Sequence, residues 1–157
     1  MPRPLAALLL AGLLSAAAGP ALAQCAFDQS SPNANDTLKD PQPAVSLEFM
    51  LEFDLQDVRV VGADNTVWPT DWTRVDGEVR RADFHITKAL PPGKYLIEWN
   101  GYLRRHRHAD GGSVPFTVLA ADGTAPAGPA PAPRADLVPR NGPDSPYRAL
   151  LGGGAPK

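Results

Sequence analysis

The sequence is poor in cysteine, in charge of one sign, in long apolar runs and in helical periodicity. Cys25 is the one cysteine among 157 residues, so no intramolecular disulfide can form. Lys and Arg number 15 against 17 Asp and Glu, a net charge of −2, which gives no reason to expect nucleic acid or an acidic membrane as a general partner. The apolar run Leu5–Ala18 is too short for a comfortable membrane span. Between residues 24 and 119 no stretch keeps an apolar period of 3.6, so a helix bundle is excluded. Nor is there an internal repeat of solenoid or propeller length.

What the chain does have is glycine and proline, 14 and 18 of them, unevenly spread. They divide it into three parts. Residues 1–23 read as an export signal, with Arg3 as the positive start, Leu5 to Ala18 as the apolar run, Gly19-Pro20 as its end and Ala21-Leu22-Ala23 as the cleavage site. Residues 24–119 have an ordinary Gly and Pro density, and are long enough for one modest core. Residues 120–157 include Ala125-Pro-Ala-Gly-Pro-Ala-Pro-Ala-Pro133 and Gly152-Gly-Gly154, and read as a disordered tail. The mature chain is then expected to start at Gln24 in a periplasm, as a secreted protein with no further membrane segment.

The middle part alternates with period two. Val45, Leu47, Phe49, Leu51 and Phe53 share one face, with Ser46, Glu48, Met50 and Glu52 on the other. Further strands are expected at Asp57–Val61, Thr66–Trp68, Val79–Thr87, Lys94–Trp99 and Ser113–Leu119. Gly62-Ala-Asp-Asn65, Asp76-Gly77 and Leu90-Pro-Pro-Gly93 supply the turns between them. Short strands at this spacing indicate an all-β sandwich or barrel.

The chemistry concentrates in Arg104-Arg105-His106-Arg107-His108-Ala109-Asp110-Gly111-Gly112, read as a loop. His106 and His108 are i and i+2; in extended backbone they point to one side about 6.5 Å apart, and such imidazoles can converge on Cu, Zn, Ni or Fe. The interleaved Arg104, Arg105 and Arg107 disfavour a cation, or balance an anion held there. Cys25 has three readings: a metal ligand, a site of intermolecular pairing, or an idle thiol. Lipidation is disfavoured because Gln24 stands where a lipobox needs a small residue. His85, beside Asp83, reads as solvent-facing. Glu48 and Glu52 read as a solvated edge.

Several segments, taken in order, resemble the periplasmic copper-binding proteins of the CopC type. Ser30-Ser31-Pro32 with Leu38 looks like that family's opening segment, and Leu47-Glu-Phe49 like its first long strand. Leu90-Pro-Pro-Gly-Lys-Tyr95 with Trp99 looks like its L-x-x-G-x-Y-x-x-x-W strand, and Gly112 with Phe116-Thr-Val118 like its closing G-x-x-x-F-x-V. The resemblance spans residues 24–119. It implies an immunoglobulin-like Greek-key β-sandwich or barrel, a copper carrier or buffer in copper homeostasis and resistance, and an inner-membrane copper transporter as partner.

The metal site departs from the family pattern. Counting back from Gly112, His108 falls on the family's ligand His and His106 on its ligand Asp, so D-x-H has become H-x-H. Gln24 replaces the N-terminal His, which also removes the histidine brace a copper monooxygenase would need. The Met cluster of some members is missing, since only Met50 remains after processing. The metal ligands expected here are His106, His108 and Cys25, a His2Cys set whose thiolate favours Cu(I) and permits Zn(II), with Cu(II) as the family's usual ion. No nucleophile triad is recognisable and no enzymatic activity is expected. The reading from another class is an interaction module that has lost metal and binds an anionic or protein partner through Arg104–His108.

Overall fold

The computed structural model describes residues 26–105, 108–135 and 137. Every helix or strand among them is a strand: β1 (Phe27–Ser31), β2 (Asp36–Leu38), β3 (Ala44–Gly62), β4 (Val67–Trp68), β5 (Val79–His85), β6 (Gly93–Leu103) and β7 (His108–Val118). The fold is the all-β sandwich that the alternation and the resemblance implied.

β3 organises it. Its first half pairs antiparallel with β1 on one side and β5 on the other. Its second half pairs antiparallel with β6, β6 pairs with β7, and β2 joins β7 in parallel. One 19-residue strand thus belongs to both layers. The sequence pattern split it into two strands for a physical reason. Phe53 and Leu55 face the core at odd positions, Val58 and Val60 at even ones, and a register shift between Leu55 and Asp57 accounts for the change. A bulge adds one residue, bends the strand and flips its alternation. Leu51, expected on the buried face, is 36% exposed. It lies in the stretch between Glu48 and Phe53 where pairing with β5 is interrupted.

The core is aromatic at its centre. Trp99 is 1% exposed. Its indole stacks on Phe27 at 5.5 Å and meets Phe49 and Phe53 edge-on at 5.3 and 5.5 Å. Each such pair adds about 0.5–1.5 kcal/mol beyond the area it buries. Gly101 follows on the same face of β6; a Cβ there would stand 2.3 Å from the Asp54 carbonyl oxygen and 2.6 Å from the Phe53 ring. The glycine is therefore required for β6 to lie this close to β3.

The other face of β6 is buried as well. Leu96, Glu98, Asn100 and Tyr102 are all under 9% exposed. Part of the cover comes from a segment whose composition read as a disordered tail. Lys94 Nζ donates to the Gly128 carbonyl at 2.6 Å, and Arg134 bonds Glu98 through its backbone N–H at 3.0 Å and its Nε at 2.7 Å. Pro131 is buried, and Leu137 is 6% exposed. Residues 128–135 and Leu137 lie along β6 as a strap. The export signal, Cys25 and Gly152-Gly-Gly154 lie outside the described residues.

Candidate functional site

The β6–β7 hairpin places the chemistry. Its register runs unbroken from Gly93↔Val118 to Leu103↔His108. The stretch read as a loop is therefore mostly strand: β6 extends to Leu103 and β7 begins at His108. Val114, Phe116 and Val118 face the core. With no bulge intervening, Gly112, Asp110 and His108 fall on that same face. Gly112 lies opposite Trp99 and Gly101 opposite Asp110, so large or polar groups on one strand are matched by missing side chains on the other.

Asp110 is the residue that sequence reasoning missed. It is 4% exposed. Its Oδ1 accepts the Gly111 N–H at 2.8 Å, and its Oδ2 accepts the Ala26 N–H at 3.1 Å. A carboxylate buried this deeply needs such donors, and backbone N–H groups supply them without a counter-ion. The bond to Ala26 fixes the start of the described chain against β7. Ala26 itself is fully buried in the core. An Asp before two glycines reads as a turn, and the available signal was its i+2 spacing from His108 in a continuing strand.

His108 is half-buried at the first position of β7. His106 and Cys25, the other two expected ligands, lie outside the described residues. Cys25 directly precedes Ala26 in the chain, and His106 is two residues before His108. Among the described residues no three His, Cys, Asp or Glu side chains come together to hold a metal ion. The described donors at this end are His108 and Asp110.

His85 stands apart. It is 67% exposed, its Nδ1 lies 3.0 Å from Asp71 Oδ2, and it faces solvent as expected. The His85 backbone N–H, and then its ring, hold the Asp71 carboxyl below the usual carboxylate range. Glu48 is part of a solvated ion-pair edge with Arg81 at 2.7 Å. A cleft of about 200 Å³ beside β5 is lined by Trp72, Val75, Arg81 and Asp83, but the last two already bond each other at 2.8 Å.

The arginines are not equivalent. Arg104 donates through Nε and Nη2 to Asp54 Oδ2 at 2.9 and 2.6 Å, and Asp54 is fully buried. Gln56 Nε2 donates to the other carboxylate oxygen at 2.6 Å, and Arg74 approaches it at 3.5 Å. Its hydrogen bonds to Asp54 raise the Arg104 guanidinium above its ordinary value. Arg104 therefore ties the tip of the hairpin to β3, and its charge is neutralised for a cation or an anion alike. Arg105 is 83% exposed and lies 4.0 Å from Glu52. Arg107 is outside the described residues.

Residues 27–119, more than half of the chain, match the family model described as the CopC domain. No curated protein sequence matches significantly. Among solved structures, CopC from Methylosinus trichosporium OB3b is similar at 17% identity, over 59% of this chain and 90% of its own, with a TM-score of 0.46. PcoC, a methionine-rich copper resistance protein from Escherichia coli, is similar at 18% identity, over 59% of this chain and 95% of its own, also with a TM-score of 0.46.

Proposed function

This chain belongs to the CopC family, and we propose that it is a periplasmic carrier or buffer of copper, taking the ion at the end of the sandwich where β7 begins. The observation that carries this reading is the bond from the Ala26 N–H to Asp110 at 3.1 Å. It brings the residue after Cys25 onto the strand that starts with His108. The ligands proposed are His106, His108 and Cys25. Imidazole and thiolate together form a borderline-to-soft set that suits Cu(I), while the two imidazoles alone serve Cu(II). Asp110 acts from beneath, as the group that positions the N-terminal segment.

The engagement of Arg104 by Asp54 supports cation binding over an anion site, because it removes one of the three positive charges from play. The chain carries copper without transforming it, delivers it to an inner-membrane copper transporter, and reaches the periplasm through the export signal at residues 1–23.

The test is a competition titration of the mature chain with Cu(II), and with Cu(I) under reductant, alongside a His106→Ala/His108→Ala variant. Micromolar or tighter binding that the variant loses is the expected result. Absence of binding to either ion overturns the reading and leaves the interaction module.

A further inference from the structure

The strap over β6 is built from residues that suit removable docking better than permanent burial. Pro126, Pro129, Pro131 and Pro133 lack N–H groups, so the segment cannot add to the sheet as a strand. It lies instead across the outer face. A proline-rich segment is already extended before it docks, so little chain entropy is lost on binding. Its approach through Asp122, Gly123 and Thr124 is an exposed turn, with Gly123 at φ +84 and open space around it.

The receiving face has a defined chemistry. Glu98 is 1% exposed and takes the Arg134 Nε at 2.7 Å and the Arg134 backbone N–H at 3.0 Å. Asp57 stands 3.5 Å from Arg134 Nη2. Lys94 grips the Gly128 carbonyl at one end. At the other, the Leu137 carbonyl lies 2.8 Å from where a Cβ on Gly111 would be. Leu96 and Tyr102 give apolar floor outside the main core cluster. The family match ends at residue 119, so the strap is an addition to the domain.

We infer that the outer face of β3, β6 and β7 is a docking surface for an extended proline-rich segment bearing an arginine, occupied in this chain by its own residues 128–135 and Leu137 and open to such a segment of another protein when the strap lifts. Covalent attachment gives the resident segment an effective concentration in the millimolar range, so a competitor needs a better fit, or a weakened Arg134–Glu98 pair. The inference does not depend on copper.

The experiment cuts the strap free without removing it. A specific protease site is inserted between Asp122 and Gly123 of the full chain, and retention of the C-terminal piece after cleavage is followed by native mass spectrometry. The piece is expected to stay bound and to be displaced by a synthetic peptide of residues 124–137. The same peptide carrying Arg134→Ala is expected to compete about tenfold more weakly, as befits one charge-assisted pair. Three results overturn the inference: release with no saturable rebinding, equal competition by both peptides, or unfolding of the remaining domain once the piece is gone. A second measurement needs no insertion. The full chain with Arg134→Ala should bind the labelled 124–137 peptide saturably where wild type does not, and failure to bind it also overturns the inference.

Discussion

The backbone N–H of Ala26 donates to the Asp110 carboxylate at 3.1 Å, joining positions 84 apart in sequence. Both residues are buried, and with the stacking of Phe27 on Trp99 at 5.5 Å the bond holds the N-terminal segment against the hairpin that carries His108.

Removing this acceptor strands a buried donor. Asp110→Ala is expected to destabilise the fold by about 1–3 kcal/mol, the cost of leaving a buried N–H unsatisfied. Asp110→Asn keeps one acceptor oxygen and should lose about half as much. Urea unfolding gives the stability, and hydrogen exchange at Phe27 and Asp28 shows whether the N-terminal segment has come loose.

The two arginines at the hairpin tip should separate cleanly. Arg104→Ala leaves the fully buried Asp54 carboxylate short of its main partner. Losing a partner to a buried charge costs 3–5 kcal/mol in full burial; with Arg104 about half exposed and Gln56 and Arg74 remaining, about 1–2 kcal/mol is expected. Arg105→Ala, at an exposed pair 4.0 Å long, should change stability by less than about 0.5 kcal/mol. Thermal unfolding of the two variants side by side checks the order.

Gly101→Ala should be the most damaging glycine substitution in the hairpin. Its Cβ would need to occupy space 2.3 Å from backbone and 2.6 Å from the Phe53 ring, and overpacking of this kind costs about 3 kcal/mol. Gly77→Ala meets open space at φ +106 and should cost only about 1 kcal/mol, from backbone strain alone. The difference in urea midpoint between these variants is the readout.

Copper affinity should fall with acid. An imidazole must be neutral to ligate, so protons compete with copper for it and binding should weaken progressively below about pH 6. The Asp71 carboxyl follows a different course. Its depressed pKa means that its contribution to stability is present above the ordinary carboxylate range and is lost only as pH falls through its lowered value. Titration of the copper complex from pH 7.5 to 5 should therefore release metal while the fold, followed by circular dichroism, stays intact.

Much of the fold was legible because one buried face writes a period of two into the sequence. The strands around Val45–Phe49, Tyr95–Trp99 and Val114–Val118 were readable for that reason. The rest was hidden by identifiable physics. The bulge at Leu55–Asp57 reverses the alternation within β3, so one strand looked like two. β6 is buried on both faces near Asn100 and Tyr102, which erases the polar half of the pattern. β1 and β2 are short, and hold their places by pairing rather than by a pattern of their own. The strap was missed because proline and alanine signal a solvated chain, while its anchors, Arg134 and Leu137, are single residues. At the candidate site, His108 stood out in the sequence by its chemistry and spacing. Asp110 was not, since its role depends on Ala26 arriving from the far end of the sequence.

Copper carriage at this end of the sandwich is tested most directly by adding substoichiometric Cu(II) to the 15N-labelled mature chain and following backbone amide signals. Paramagnetic broadening should strike Ala26 and His108 to Gly111 first, and be absent there in the His106→Ala/His108→Ala variant. Broadening centred on His85 and Asp71, or none at stoichiometric copper, would contradict the assignment of the site.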